Sequence, residues 1–229
     1  MSRLNVYQRR GPWVALLGLD GSGKSTVLKR LEVELVSPFF TGLKVIYRRP
    51  NLAGQIPSSQ GAIIDHYADP PHSPLKSIVK LGLRAVDWWL GYRRHLAPRR
   101  AQGCLVLLDR HYFLDVSVDP LRYRYSGPLW LARWVGLRLP RPDLFIFLDA
   151  PVEVLQRRKQ EVTPEEAARQ REAYLELIQT LPHSYVVDAS EPLDRVVAKV
   201  KQIILNYGSS QREAYETVVP SRGLNSERR

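Results

Sequence analysis

The run Gly18-Leu19-Asp20-Gly21-Ser22-Gly23-Lys24-Ser25-Thr26 fits the pattern G-x-x-x-x-G-K-[ST], and no other stretch constrains the fold of this chain so tightly. Val14-Ala15-Leu16-Leu17 just before it is a short apolar run that reads as a buried strand. Val27, Leu28, Leu31 and Leu35 after it recur at helical spacing. A strand, a glycine-rich turn and a helix in that order build an anion cradle. Backbone N–H groups of Gly18 to Thr26, Asp20 and Ser22 among them, converge on phosphate oxygens, and the helix N-terminus adds partial positive charge. Lys24 is placed to reach the outer phosphates and Ser25 to ligand magnesium, so ATP with Mg2+ is the expected ligand pair.

The rest of the chain alternates in the same way. Strands are expected at Trp13 to Leu17, Lys44 to Tyr47, Cys104 to Leu108, Leu144 to Leu148 and Ser184 to Val187. Helical patterns fall at about 24–36, 75–96, 152–159, 164–181 and 192–206. Strands separated by helices imply a parallel sheet covered on both faces. The expected fold is therefore α/β, a three-layer α/β/α sandwich of the P-loop NTP hydrolase type with a five-stranded parallel sheet. One domain spans residues 12–207, after a basic extension at 1–11 and before a polar tail at 208–229 without fixed structure. In Thr163-Pro164-Glu165-Glu166 the threonine caps a helix, proline takes its first position and Glu166 completes a capping box.

The formal net charge is +11, and thirteen lysines and arginines against four acids between Lys76 and Arg141 carry most of it. Several of these arginines are well placed for a phosphorylated partner, although a solvated basic face explains most of them equally well. Cys104 is the single cysteine and sits in an apolar run, which reads as a small buried hydrophobe rather than a reactive thiol. The five histidines lack ligand spacing, and exposed or singly bonded side chains are the default for them. No apolar run approaches the roughly 20 residues of a membrane span, and Ser2 to Gly11 lacks the apolar stretch of a secretory signal. A cytoplasmic location without membrane partners is the expectation.

Motifs that read guanine or mark transporter ATPases are absent. At the end of the third strand, Asp109-Arg110-His111 places an acid and a cation where α/β sheets bind ligands. Asp109 is suited to orient a magnesium-bound water or an acceptor group, and Arg110 to hold an acceptor phosphate in a bidentate grip.

Taken together, Gly18 to Thr26, Tyr47-Arg48-Arg49-Pro50, Leu108-Asp109-Arg110-His111, Asp143 to Arg157 and Arg169 to Leu175 resemble the thymidylate kinase family of nucleoside monophosphate kinases over roughly residues 13–205. The resemblance implies transfer of a phosphoryl group from magnesium-ATP to a nucleoside monophosphate, dTMP first among candidates. It places Asp20 near the acceptor sugar hydroxyl, Arg48 and Arg110 on the acceptor phosphate, and Ser25 and Asp109 at the metal. Some members carry an arginine within the phosphate loop. Here that position is Gly21, so the resemblance shifts the role to Arg157 or Arg158 at a short lid near 157–163. It also implies a homodimer.

Three features depart from the family pattern. Where a base-reading Ala-Tyr-Gln-Gly is usual, this chain has Arg124-Tyr125-Ser126-Gly127, leaving Tyr125 as the candidate contact. The helix that presents an aromatic residue and an arginine to the base reads Leu83-Arg84-Ala85-Val86-Asp87-Trp88-Trp89, with Arg84 as the counterpart. The lid is short. Val79, Leu83, Val86 and Leu90 form an apolar stripe expected to pack inward, with Trp89 extending it. Two further readings stay open on the sequence. One is a kinase of the same fold acting on another phosphorylated metabolite or a sugar. The other is a low-turnover nucleotide-binding protein that contacts nucleic acid, which the Asp-Arg and lid candidates argue against.

Overall fold

The computed structural model describes residues 10–35, 39–47, 49, 50, 52, 53 and 70–218. Five strands, β1 (Trp13–Leu17), β2 (Leu43–Tyr47), β3 (Leu105–Asp109), β4 (Leu144–Asp149) and β5 (Ser184–Asp188), form one sheet in the order β2-β3-β1-β4-β5. Every pairing is parallel. In the central strand β1 all five side chains are buried. Because successive side chains point to opposite faces, helices must cover both, and the three-layer expectation holds. Ala15 lies level with Leu108 on one side and Phe145 on the other. This register brings the C-terminal ends of β1 and β3 together, and the phosphate loop and Asp109-Arg110 emerge there side by side.

The helices are α1 (Lys24–Glu34), α2 (Pro74–Gly91), α3 (Ala97–Ala101), α4 (Tyr112–Val118), α5 (Leu129–Arg138), α6 (Val152–Arg158), α7 (Pro164–Gln179) and α8 (Leu193–Val218). Of these, α3, α4 and α5 were not expected from the sequence pattern. The single helix expected over 75–96 ends at Gly91 and passes through a π-helical turn, Tyr92–Leu96, into α3. Pro98 lacks a backbone N–H and cannot continue the regular ladder, which gives the change of winding a local cause. Helix α5 lies close on α4 because Gly136 has no side chain: a Cβ there would come 2.8 Å from Phe113 Cβ.

Two expectations are corrected. The stripe on α2 faces outward, with Leu83 65% and Val86 58% exposed. The inward face is Ser77, Leu81, Trp88 and Gly91, because Trp88 stacks on Trp13 of β1 and donates its indole N–H to Pro140 O at 2.8 Å. Trp89 stays 42% exposed under the Arg93 guanidinium. The tail expected to lose structure at Gly208 is instead helical to Val218. Gly208 lies against Phe40, and the Ser209 and Ser210 hydroxyls donate back to Asn206 O. One glycine costs a helix only about 1 kcal/mol, too little to end one already anchored by Val196, Val200 and Ile204. The capped start of α7 is present, with Thr163 Oγ1 accepting from Glu166 N at 3.3 Å. The Glu166 carboxylate, however, turns to Arg169 and Gln170 rather than closing the box.

The sheet is stapled at its other end by a buried cation. Arg100 donates to Gly11 O at 2.8 Å and pairs with Asp143, whose Oδ2 also accepts from Trp13 N at 2.8 Å. One carboxylate thus joins α3, β1 and the entry to β4. Asp143→Ala leaves the buried guanidinium without a counter-charge and is expected to cost about 3 kcal/mol in urea unfolding. A loss below about 1 kcal/mol, the size expected of a surface pair, would show that the staple is incidental.

Candidate active site

The phosphate loop owes its shape to two glycines. Gly18 adopts φ 149°, and a Cβ there would lie 2.7 Å from Ser22 Oγ and 2.9 Å from Leu148 O. Gly21 adopts φ 84°, and a Cβ there would lie 2.8 Å from the Leu155 carbonyl of α6. The loop and the helix leading to the lid therefore touch backbone to backbone. Gly23 is the N-cap of α1, and its carbonyl accepts from Thr26 N and Val27 N. Ser25 and Thr26 are exposed on the first turn. Lys24 is buried and donates Nζ–H bonds to Gly18 O at 2.7 Å, Leu19 O at 2.6 Å and Ser22 Oγ at 3.2 Å. Burial, reinforced by the like charge of Arg110, lowers its pKa to about 7.

Asp20 is the hub of the charges. Its Oδ1 pairs with Arg110 and its Oδ2 with Arg122, while Arg122 also meets Glu161 of the lid at 3.4 Å. Burial opposes the Asp20 charge, but Arg110, Glu161, Lys24 and Arg122 hold its carboxyl well below the usual range. Arg110 reaches further, to Asp115 Oδ2 at 3.6 Å, and Asp115 accepts from the hydroxyls of Tyr174 at 2.8 Å and Tyr123 at 3.3 Å. The Arg110 backbone is strained, with φ 68° on a non-glycine residue, and its N–H donates to Leu16 O. That conformation turns the guanidinium from β3 back over the loop that follows β1. Asp109 Oδ1 is buried and has no hydrogen-bond partner among the described residues.

The remaining candidates are not joined to the Asp20 cluster by any bond among the described residues. Arg48 is outside the described residues. Its neighbour Arg49 lies 3.6 Å from Asp87 and over the Tyr112 ring, and Arg84 lies 4.0 Å from the same carboxylate. Tyr125 is buried and donates its hydroxyl to Pro128 O at 3.0 Å, closing its own turn. Arg157 is exposed at the end of α6, whereas Arg158 donates to Ala189 O at 2.9 Å. Sequence reasoning missed Arg122, Glu161, Asp115 and the two-bond pair of Arg171 with Asp149, both bonds 2.7 Å. The signals for them were weak: Arg122 to Tyr125 alternates cations and rings, and Asp149 and Arg171 fall inside two of the blocks that carry the family resemblance.

Of the two defaults for the histidines, exposed or singly bonded, His111 takes the second. It is fully buried against Trp88, Phe113 and Phe145, and its Nδ1 caps α4 by accepting from Leu114 N at 3.4 Å. Burial lowers its pKa to about 3. The folded-state pKa lies below the unfolded one, so this contribution to stability is complete above about pH 6.5 and is lost as pH falls toward 3. At pH 5 the loss should reach about 2 kcal/mol in equilibrium unfolding relative to pH 7, and His111→Gln should flatten that part of the profile. A pH dependence unchanged by the substitution would place the titration elsewhere. Gly21→Ala tests the backbone contact: the methyl group must push α6 away from the loop, and a turnover number lowered about tenfold or more is expected. Unchanged turnover would show that the contact does not position the site.

The chain matches the family model described as "Thymidylate kinase" over residues 17–200. It is 30% identical to a probable thymidylate kinase of Saccharolobus solfataricus, covering 83% of this chain and 95% of that protein. It is 29% identical to a thymidylate kinase of Limosilactobacillus fermentum, covering 85% and 94%. Among solved structures, a thymidylate kinase from Candida albicans superposes with a TM-score of 0.61 at 20% identity, covering 87% of this chain and 93% of that one, which supports the shared fold. Because the family-model match spans most of its length, the chain belongs to the thymidylate kinase family.

Proposed function

We propose that this protein transfers the γ-phosphoryl group of magnesium-ATP to dTMP, yielding dTDP and ADP. The observation that carries the reading is the convergence of Lys24, Arg110 and Asp20 where β1 and β3 end. The loop backbone and Lys24 hold the ATP phosphates, and Arg110 grips the acceptor phosphate, with Arg48 beside it by resemblance to the family. Asp20 orients Arg110 and the acceptor sugar. The acceptor phosphate is itself the nucleophile and is ionised near neutral pH, so positioning and charge neutralisation carry the reaction and no strong general base is required.

Magnesium fits the residues present. The exposed Ser25 hydroxyl and the buried, unpartnered Asp109 Oδ1 are two oxygen donors, which suits an ion that keeps several of its waters. When bound, the ion would offset charge on the bridging phosphate oxygens. Arg157 or Arg158 at the end of α6 supplies the cation that the phosphate loop lacks at Gly21.

A second acceptor class is favoured by one observation. Tyr125 is spent on its own turn and the base-reading glutamine is absent, so another phosphorylated metabolite, or a sugar, competes with dTMP. The outward apolar face of α2 supports a homodimer. Among the described residues no helix is long and apolar enough to cross a membrane, and we place the enzyme in the cytoplasm.

Turnover of magnesium-ATP against dTMP, dUMP, UMP, CMP, thymidine, sugars and sugar phosphates, with products identified by mass, tests the assignment. Conversion of dTMP to dTDP is expected. Lys24→Ala should lower kcat by about a hundredfold or more with the circular dichroism spectrum unchanged. Arg110→Ala should raise the acceptor KM more than the ATP KM. Near-normal turnover in Lys24→Ala would refute the phosphate-loop role, and phosphorylation of a sugar alone would reassign the acceptor.

A further inference from the structure

We propose that Arg122 is a second acceptor-phosphate residue, gripping the phosphomonoester beside Arg110. The inference rests on the kinase reading above and narrows its substrate class to phosphorylated acceptors.

The turn that carries Arg122 is tightly specified. Its N–H donates to Asp119 Oδ1 at 3.2 Å, Tyr123 N and Tyr125 N both donate to Pro120 O, and Arg124 takes a left-handed φ of 53°. A backbone held at so many points delivers the side chain to one place, across the Asp20 carboxylate from Arg110. The two guanidiniums are spent differently. Arg110 is committed at both Nη atoms, to Asp20 and to Asp115. Arg122 uses Nη1 alone, for Asp20 and Glu161, and its Nε and Nη2 have no partner among the described residues although its side chain is only 16% exposed.

A largely desolvated guanidinium with unused donors is a recognition element for an anion, and its planar fork matches phosphate oxygens in pairs. Asp20, Asp115 and Glu161 already face the cations of this cluster, so it is the unused Nε and Nη2 of Arg122 that suit an ionised phosphomonoester better than a neutral sugar or nucleoside. Glu161 sits on Nη1, and its charge competes with a phosphate for the guanidinium as a whole. Arg122 lies two residues before Arg124-Tyr125-Ser126-Gly127, the run that stands where the family reads the base.

The test compares wild type with Arg122→Gln, Arg122→Lys and Glu161→Gln. Steady-state kinetics vary dTMP at saturating ATP, and thermal melts compare the stabilisation given by dTMP with that given by thymidine. Arg122→Gln should raise the dTMP KM about tenfold or more and erase the extra stabilisation that dTMP gives over thymidine. The ATP KM should stay within about twofold of wild type. Arg122→Lys keeps the charge without the fork and should recover part of both signals. Glu161→Gln removes a rival for the guanidinium and should leave the dTMP KM equal or lower.

Equal KM rises in Arg122→Gln and Glu161→Gln would show a lid latch instead and overturn the proposal, as would an unchanged dTMP KM in Arg122→Gln. A wild-type protein that binds dTMP without phosphorylating it would sink the kinase reading, and the melts would still decide for or against Arg122. Neither binding nor turnover of dTMP or any other phosphomonoester in the panel would overturn both.

Discussion

The Asp20 carboxylate is the one group on which the rest of this site depends. Three cations, Lys24, Arg110 and Arg122, are brought to the same sheet edge from the phosphate loop, the end of β3 and the turn after α4. Without a counter-charge they would repel one another in a region from which water is largely excluded, where such repulsion is strong. Asp20 offers one oxygen to each guanidinium, and against the cost of burial these cations hold its pKa well below the usual carboxylate range. Asp115 faces the other side of Arg110 and accepts from the hydroxyls of Tyr123 and Tyr174, although burial raises its pKa against the pull of Arg110. Arg110 tolerates a left-handed backbone because carboxylates hold its side chain on both sides.

That arrangement explains which parts of the site could be read from the sequence. Gly18, Asp20, Lys24 and Ser25 lie in one contiguous motif, and Asp109-Arg110 follows a strand that its apolar run makes plain. Their partners could not be read. Arg122 meets Asp20 across 102 positions and Tyr174 meets Asp115 across 59, and such pairings depend on the fold rather than on local spacing. The strands were legible for the complementary reason: each is a short, mainly apolar run set between helices and turns, and in β1, β3 and β4 burial on both faces leaves no polar alternation to confuse the pattern.

The helices that escaped notice share a different property. Helix α4, Tyr-Phe-Leu-Asp-Val-Ser-Val, is short and rich in aromatic and β-branched residues, so its local preference is extended. It forms a helix because His111 caps it and because Phe113, Leu114, Val116 and Val118 are buried in the core. Helix α5 carries tryptophans outward and buries only Ala132 and Gly136, which inverts the usual relation between size and burial. On α2 two apolar faces compete, and sequence periodicity cannot say which turns inward. Trp13 decides the matter, since stacking with Trp88 and Tyr92 favours one face.

The contact between Gly21 and the Leu155 carbonyl bears on where a catalytic cation can come from. A side chain at residue 21 would collide with α6, so the arrangement that places an arginine inside the phosphate loop is sterically closed to this chain. The same contact fixes α6, with Arg157 and Arg158 on its last turn, against the loop. Its two arginines are not equivalent. Arg158 is tied to Ala189 O, beyond the end of β5, while Arg157 remains exposed on the last turn. In the proposed mechanism, where the lid supplies the cation, Arg158 must first break its bond to Ala189 O, whereas Arg157 has no side-chain hydrogen bond to break among the described residues, and that difference favours Arg157.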